Sequence, residues 1–294
     1  IMSALEVNPK LKDETITVIF IGHHNTREGK EKTRRIFSTL NRYAKPVSLG
    51  DIIALDEDDI VAIATRELLE SHPLFSGERM KVSNSKSIAN HDKSSFTSLI
   101  TLYECNAELF QYFHYKKTVS GTKLKEFLKS RPDEKLISSF SEYINNFWSI
   151  FAQTFPEVKE YLEADPINAA GKFRDNETGG NIIFRPVTLL QMIKAIVYIL
   201  SEDRASTIGG ILRAFCNINR SVSSDLWNKI IWNPSSKTML VNNQLLLKYL
   251  FVYIYDPGIL KEKHINDFYQ RYILVKNIDG NNIDAHLDAV INNA

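Results

Sequence analysis

From Ser94 to the end of the chain, apolar residues recur at helical spacing with few interruptions, and this periodicity makes the α-helix the dominant element. Helices are predicted near Ser94 to His114, Thr122 to Lys129, Asp133 to Thr154, Pro156 to Glu163, Pro186 to Ser201, Thr207 to Asn217, Leu240 to Tyr255 and His264 to Val275. A frayed terminal helix is predicted from Ile283 to Ile291. The longest stretch without a helical period runs from Asp165 to Arg185, and it holds the short apolar run Ile182-Ile183-Phe184. No repeat period or low-complexity tract is present.

The first part of the chain reads differently. Thr15 to Gly22 is a β-branched run bounded by polar residues and reads as a buried strand. A helix follows from about Glu28 to Tyr43, with Ile36, Phe37 and Leu40 as its apolar stripe and Lys45-Pro46 as its stop. Ile52 to Leu55 reads as a short strand or helical turn. Asp56-Glu57-Asp58-Asp59 then opens a helix with apolar spacing from Ile60 to Leu69, closed by His72-Pro73. Ser76 to Lys93, rich in serine and poor in apolar residues, is the candidate domain boundary or mobile loop. The expected architecture is α+β: a small α+β unit over residues 1–80, then an α-helical domain over 81–294.

Composition narrows the class. Across 294 residues, 36 Lys+Arg face 35 Asp+Glu, a formal charge of +1 that excludes a generally polycationic nucleic-acid coat, so any such surface must be a local patch. Cys105 and Cys216 are too few and too far apart for a disulfide framework or a CxxC clamp, and they read as buried thiols of a reducing compartment. Ile1 to Val7 lacks the pattern of a signal peptide, and Leu189 to Leu200 is too short to span a bilayer. A cytoplasmic protein with no membrane partner is the expectation.

Several groups can carry chemistry. Arg27, Lys30, Lys32, Arg34 and Arg35 crowd little more than two turns of one helix, where they either neutralise successive phosphates or form a solvated face balanced by Glu28 and Glu31. Asp56 to Asp59 offers carboxylates to Mg²⁺, or caps the helix it opens. His23-His24 has no second ligand cluster at zinc spacing. Lys116, Lys117, Lys123, Lys125, Lys129 and Arg131, beside Tyr112, Phe113 and Tyr115, suit stacking on unpaired bases, although at helical spacing such aromatics more often join a core. P-loop, GxGxxG and GxSxG motifs are all missing.

Thr33 to Ser48, followed by Leu55-Asp56-Glu57-Asp58-Asp59 and Arg66, resembles the DGQHR-domain, DndB-like family associated with bacterial DNA phosphorothioation. Asp13 to Phe20 and Asn181 to Val187, with Phe184-Arg185-Pro186 as anchor, are also similar to it. The Asp-Gly-Gln-His-Arg motif itself occurs nowhere in the chain, and Ile1 to Leu5 resembles the helix that follows it. The expectation is therefore a partial ParB/sulfiredoxin-like α+β domain. The resemblance implies a DNA-binding regulator or accessory protein of a modification or defence system, with DNA, DNA-modification proteins and a second copy of the chain as partners. Lys30, Arg34, Arg35, Arg42 and Lys45 would contact phosphates, Asn41 and Ser48 would add polar contacts, and Arg185 would be an anion contact or a structural ion-pair partner.

An enzymatic alternative is an ATP-hydrolysing or nicking partner, with Asp56 or Asp58 on Mg²⁺ and Arg34 or Lys45 on phosphate. A third reading is a helical protein-interaction module.

Overall fold

The computed structural model describes residues 20, 22, 24–44 and 48–292, the side chains of 41–44 excepted. The strand expected over Thr15 to Gly22 lies, apart from Phe20 and Gly22, outside the described residues, as do His23 and Lys45.

The chain enters its first described helix, α1 (Arg27–Ala44), with the Gly29 amide donating to Thr26 Oγ1 at 3.1 Å. Helix α2 (Leu49–Leu55) starts in a reciprocal capping box: Asp51 N donates to Ser48 Oγ and Ser48 N donates to the Asp51 carboxylate. Helix α3 (Ile60–Ser71) is capped by Asp59 and stops at His72, because the residue before Pro73 is forced out of the helical region. The apolar stripe expected on α1 is only partly covered. Ile36 is half-buried, whereas Phe37 and Leu40 are 54% and 58% exposed, since the principal neighbour of α1 among the described helices is the short α2.

The 76–93 segment contains strand β1 (Met80–Lys81), which pairs in parallel with β2 (Thr97–Ser98), Met80 opposite Thr97. That pairing holds residues 97 and 98 extended, so helix α4 (Leu99–Tyr115) begins later than its periodicity alone predicts, with Ser98 as cap. Helices α5 (Gly121–Phe127), α6 (Glu134–Thr154) and α7 (Pro156–Glu163) follow, opened by Ser120, by Asp133 and by a proline in the first turn. The Ile182–Phe184 run forms a single 3-10 turn leading into α8 (Pro186–Glu202). Beyond it lie α9 (Ile208–Cys216), the antiparallel pair β3 (Trp232–Asn233) and β4 (Thr238–Met239), α10 (Gln244–Tyr255), α11 (Glu262–Lys276) and α12 (Ile283–Asn292). The fold is mainly helical with small sheets, a mainly helical form of the α+β class.

Helix α8 explains its own sequence. It lies between α4 and α10, and every residue from Thr188 to Leu200 except Lys194 is buried, as expected for a helix that is apolar all round. Among the described residues no helix is long and apolar enough to cross a membrane. One continuous core runs from Ile53 to Leu287. Within it, Trp148 Nε1 donates to Asn106 Oδ1 at 2.9 Å and Asn106 Nδ2 donates to Thr65 Oγ1 at 2.9 Å, a fully buried polar chain that ties α3, α4 and α6. Cys105 is a buried free thiol and Cys216 a half-buried one.

Candidate nucleic-acid interface

The basic helix α1 turns two different faces to its surroundings. Arg27, Glu31 and Arg34, at helical i, i+4, i+7 spacing, line a groove shared with Glu57, Arg66 and Arg131. Lys30 and Lys32 are exposed and have no ion pair among the described residues. The two sets behave differently because only the first meets the acidic loop before α3.

Glu57 is the centre of that loop. Its side chain is only 7% exposed; Arg34 Nε and Arg66 Nη2 each lie 3.1 Å from Oε1, and Arg131 Nη1 is 3.6 Å from Oε2. Arg66 also donates to the carbonyls of Ile53 and Asp56 at 2.7 and 3.0 Å, satisfying acceptors at the end of α2. Burial pulls the Arg66 guanidinium below its usual range, and Glu57 acts against that shift. Arg131 reaches Glu31 at 2.9 Å and Glu134 at 2.8 Å. Arg35 Nε lies 3.1 Å from Asp58 Oδ1, a contact without hydrogen-bond alignment. The result is a pinned helix: Arg34 and Arg35 are held in place by carboxylates yet stay 43% and 55% exposed.

The acidic run is occupied by this work. Asp56 Oδ1 accepts from the amides of Asp58 and Asp59, and Asp59 accepts from Val61 N, Ala62 N and, at 2.6 Å, from Tyr103 Oη. Burial pushes the Asp59 carboxyl up to about 6 despite those three donors. Among the described residues no three His, Cys, Asp or Glu side chains converge on a point able to hold a metal ion. Asp56 and Asp58, one turned to backbone amides and the other to an arginine, do not fit a hard divalent cation.

The other expected site residues separate in space. Ser48 spends its hydroxyl on the capping box. Asn41 and Arg42 fall at the end of α1 with side chains outside the described set. Arg185, ahead of α8, donates Nε to the Gly179 carbonyl at 2.7 Å and Nη2 to the Asp175 carbonyl at 3.1 Å, so it holds backbone and has no carboxylate within ion-pair distance among the described residues.

In the second basic patch, Lys116 Nζ sits 5.3 Å from the Tyr112 ring and Lys123 Nζ 4.8 Å from the Tyr115 ring. Phe113 packs on Phe140 and Tyr143, so its face belongs to the core rather than to an open stacking platform. Sequence reasoning grouped Arg131 with those lysines. Its partner Glu57 is 74 residues away, a pairing that no local pattern reveals.

These features define a mainly helical protein that carries a cationic helix braced by an acidic loop. A family model described as DndB, DNA-sulfur modification-associated, matches residues 1–255, and the chain belongs to that family. Membership implies involvement in a DNA phosphorothioation system. Comparison with curated proteins and comparison with solved structures each return no match.

Proposed function

We propose that the chain is a DNA-binding accessory or regulatory protein of a phosphorothioation system, and that the exposed face of α1 is its phosphate-contacting surface. The observation that carries this reading is the exposure of Lys30 and Lys32 beside Arg34 and Arg35, which remain about half accessible while ion-paired. A phosphate approaching α1 first meets two ammonium groups that have no ion pair among the described residues, and can then compete with Glu57 and Asp58 for guanidinium donors. Contacts of this kind place a protein on DNA without reading its sequence.

The test is made in cells that carry the modification system. Genomic DNA is digested and its phosphorothioate dinucleotides are quantified by mass spectrometry, with this chain present, absent, or replaced by the Lys30→Ala/Lys32→Ala variant at equal protein level. An accessory or regulatory role predicts that loss of the chain changes the phosphorothioate content and that the double variant reproduces the change. Identical content in all three strains contradicts it.

A further inference from the structure

A second, unrelated feature lies some way along the chain. A cavity of about 480 Å³ opens between the start of α8, the strap of residues 174–180 and the β3–β4 hairpin. That volume is in the range that holds small organic ligands. Its lining carries the cations Lys86, Arg174, Arg185 and Lys237 against a single carboxylate, Asp175. One wall is apolar, with Trp232, Met239 and Leu190 among its residues.

Two of the four cations are already engaged: Lys86 lies 2.6 Å from Glu104, and Lys237 pairs with Glu177 on the strap. The two arginines are less fully matched: Arg174 has only a longer pair with Asp92, and Arg185 has no carboxylate within ion-pair distance among the described residues. Arg174 is 6% exposed; its Nη2 donates to the Asp92 carbonyl at 2.8 Å and stands 3.6 Å from the Asp92 carboxylate, while its Nη1 is buried with no partner. A buried guanidinium N–H without an acceptor is uncommon and calls for an explanation such as a bound ion. Arg185 is fixed by the Gly179 and Asp175 carbonyls and faces no ion-pair partner among the described residues. Burial, reinforced by the nearby Arg174 charge and opposed by Asp175, pushes Arg185 down to about 10. The Asp175 carboxylate is itself taken by the amides of Glu177 and Thr178 and by the Thr178 hydroxyl. Helix α8, 17 residues long, contributes its start: Pro186 has no N–H, and the Val187 amide finds no acceptor among the described residues.

The backbone is shaped to keep this arrangement. Gly179 has φ +79°, and a Cβ there would run into Val222 and the Trp232 ring, so the strap can lie against the tryptophan and present its carbonyl to Arg185 only as glycine. Paired guanidinium groups, a helix start and an indole wall in one cleft match a ligand with a compact multivalent anion at one end and a flat ring at the other. We propose that this cavity binds a phosphorylated ring compound of about the size of a nucleoside monophosphate, its phosphate on Arg174 and Arg185 and its ring against the Trp232 wall. The site is separate from α1 and does not rest on the DNA-binding reading.

The probes are AMP, GMP, CMP, UMP and phenyl phosphate, with inorganic phosphate as the ringless control, titrated into the full chain by calorimetry. At least one ring phosphate is expected to bind with 1:1 stoichiometry and at least tenfold more tightly than inorganic phosphate. Arg174→Gln keeps a donor for the Asp92 carbonyl but removes the charge, and should weaken that binding tenfold or more. Gln244→Glu adds a carboxylate at the exposed rim of the cavity, keeps an acceptor for the Gln191 side-chain amide, and should weaken it as well. No saturable binding by any ring phosphate, affinity no better than that of inorganic phosphate, or affinity untouched by Gln244→Glu would each overturn the proposal.

Discussion

The guanidinium of Arg34 lies 3.1 Å from the buried carboxylate of Glu57, so the most cationic helix of the protein is bound to its most acidic loop. The pair is lopsided: Arg34 is half-exposed and Glu57 is not. Removing the Glu57 charge takes its carboxylate partner from Arg66, whose side chain is less than one-fifth exposed, while Arg131 keeps Glu31 and Glu134; breaking a buried pair in this way costs about 3 kcal/mol. Glu57→Gln should therefore lower the free energy of unfolding in urea by about that amount. Arg34→Ala, at the solvent end, should cost no more than about 1 kcal/mol. Equal losses for the two variants would show that Glu57 is not the hub.

Asp59 gives a pH-dependent prediction. Its folded value of about 6 lies above the 3.8 of an unperturbed aspartate, so the folded state holds the extra proton between those limits. Stability should fall as pH rises from about 4 to about 6 and level off above that window. Asp59→Asn keeps an acceptor for the Val61 and Ala62 amides and should abolish the fall. Asp59→Ala loses the cap, at a cost of about 1–2 kcal/mol at all pH values. Urea midpoints measured at half-unit pH steps would separate the two.

His72 acts with the opposite sign. Burial pushes its imidazole down to about 4, against 6.5 in an unfolded chain. Its Nδ1 accepts from the Leu74 amide, which fixes the neutral tautomer with the proton on Nε2, facing Ser149 Oγ. The stability that depends on this neutral ring is complete above pH 6.5 and is lost as pH falls toward 4. His72→Asn, which keeps an acceptor near Leu74, should remove that acid loss. In the background of Asp59→Asn, adding His72→Asn should reduce the loss of stability between pH 6.5 and 4, and an unchanged profile would contradict its assignment.

Asn106 holds two buried partners, Trp148 Nε1 and Thr65 Oγ1. Asn106→Leu is close in size but leaves both polar groups buried and unpaired, so unfolding free energy should drop by about 2–4 kcal/mol. Thr65→Val in the same background should recover part of the loss, because it removes one orphan at nearly constant volume. An Asn106→Leu variant as stable as the parent would mean that the chain of hydrogen bonds contributes nothing.

Much of the fold was legible because helix ends carry local chemistry. Pro156 and Pro186 mark first turns, Asp133 and Thr207 supply caps, and the apolar run of α8 announces a buried helix. The two-residue strands were not legible, since pairs such as Met80 with Thr97 are set by tertiary contact and leave no alternating pattern. The site was legible in its charges and illegible in their pairing. A run of Lys and Arg looks the same whether its neighbours are phosphates or the carboxylates of another segment, and only the fold separates Arg34 and Arg35, which have carboxylates, from Lys30 and Lys32, which have none among the described residues. Arg174 was missed because an isolated arginine in an irregular segment gives no signal until its burial is known.

Contact between the exposed face of α1 and DNA phosphates, as proposed, would make binding electrostatic and independent of sequence. Its most direct test is the dependence of duplex affinity on salt, measured for the parent and for Lys30→Ala/Lys32→Ala on two duplexes of unrelated sequence. With two phosphate contacts removed, the plot of log affinity against log salt should flatten by about 1.8, at about 0.9 per contact, equally on both duplexes. Parent and variant lines with the same slope and the same affinity would contradict the account.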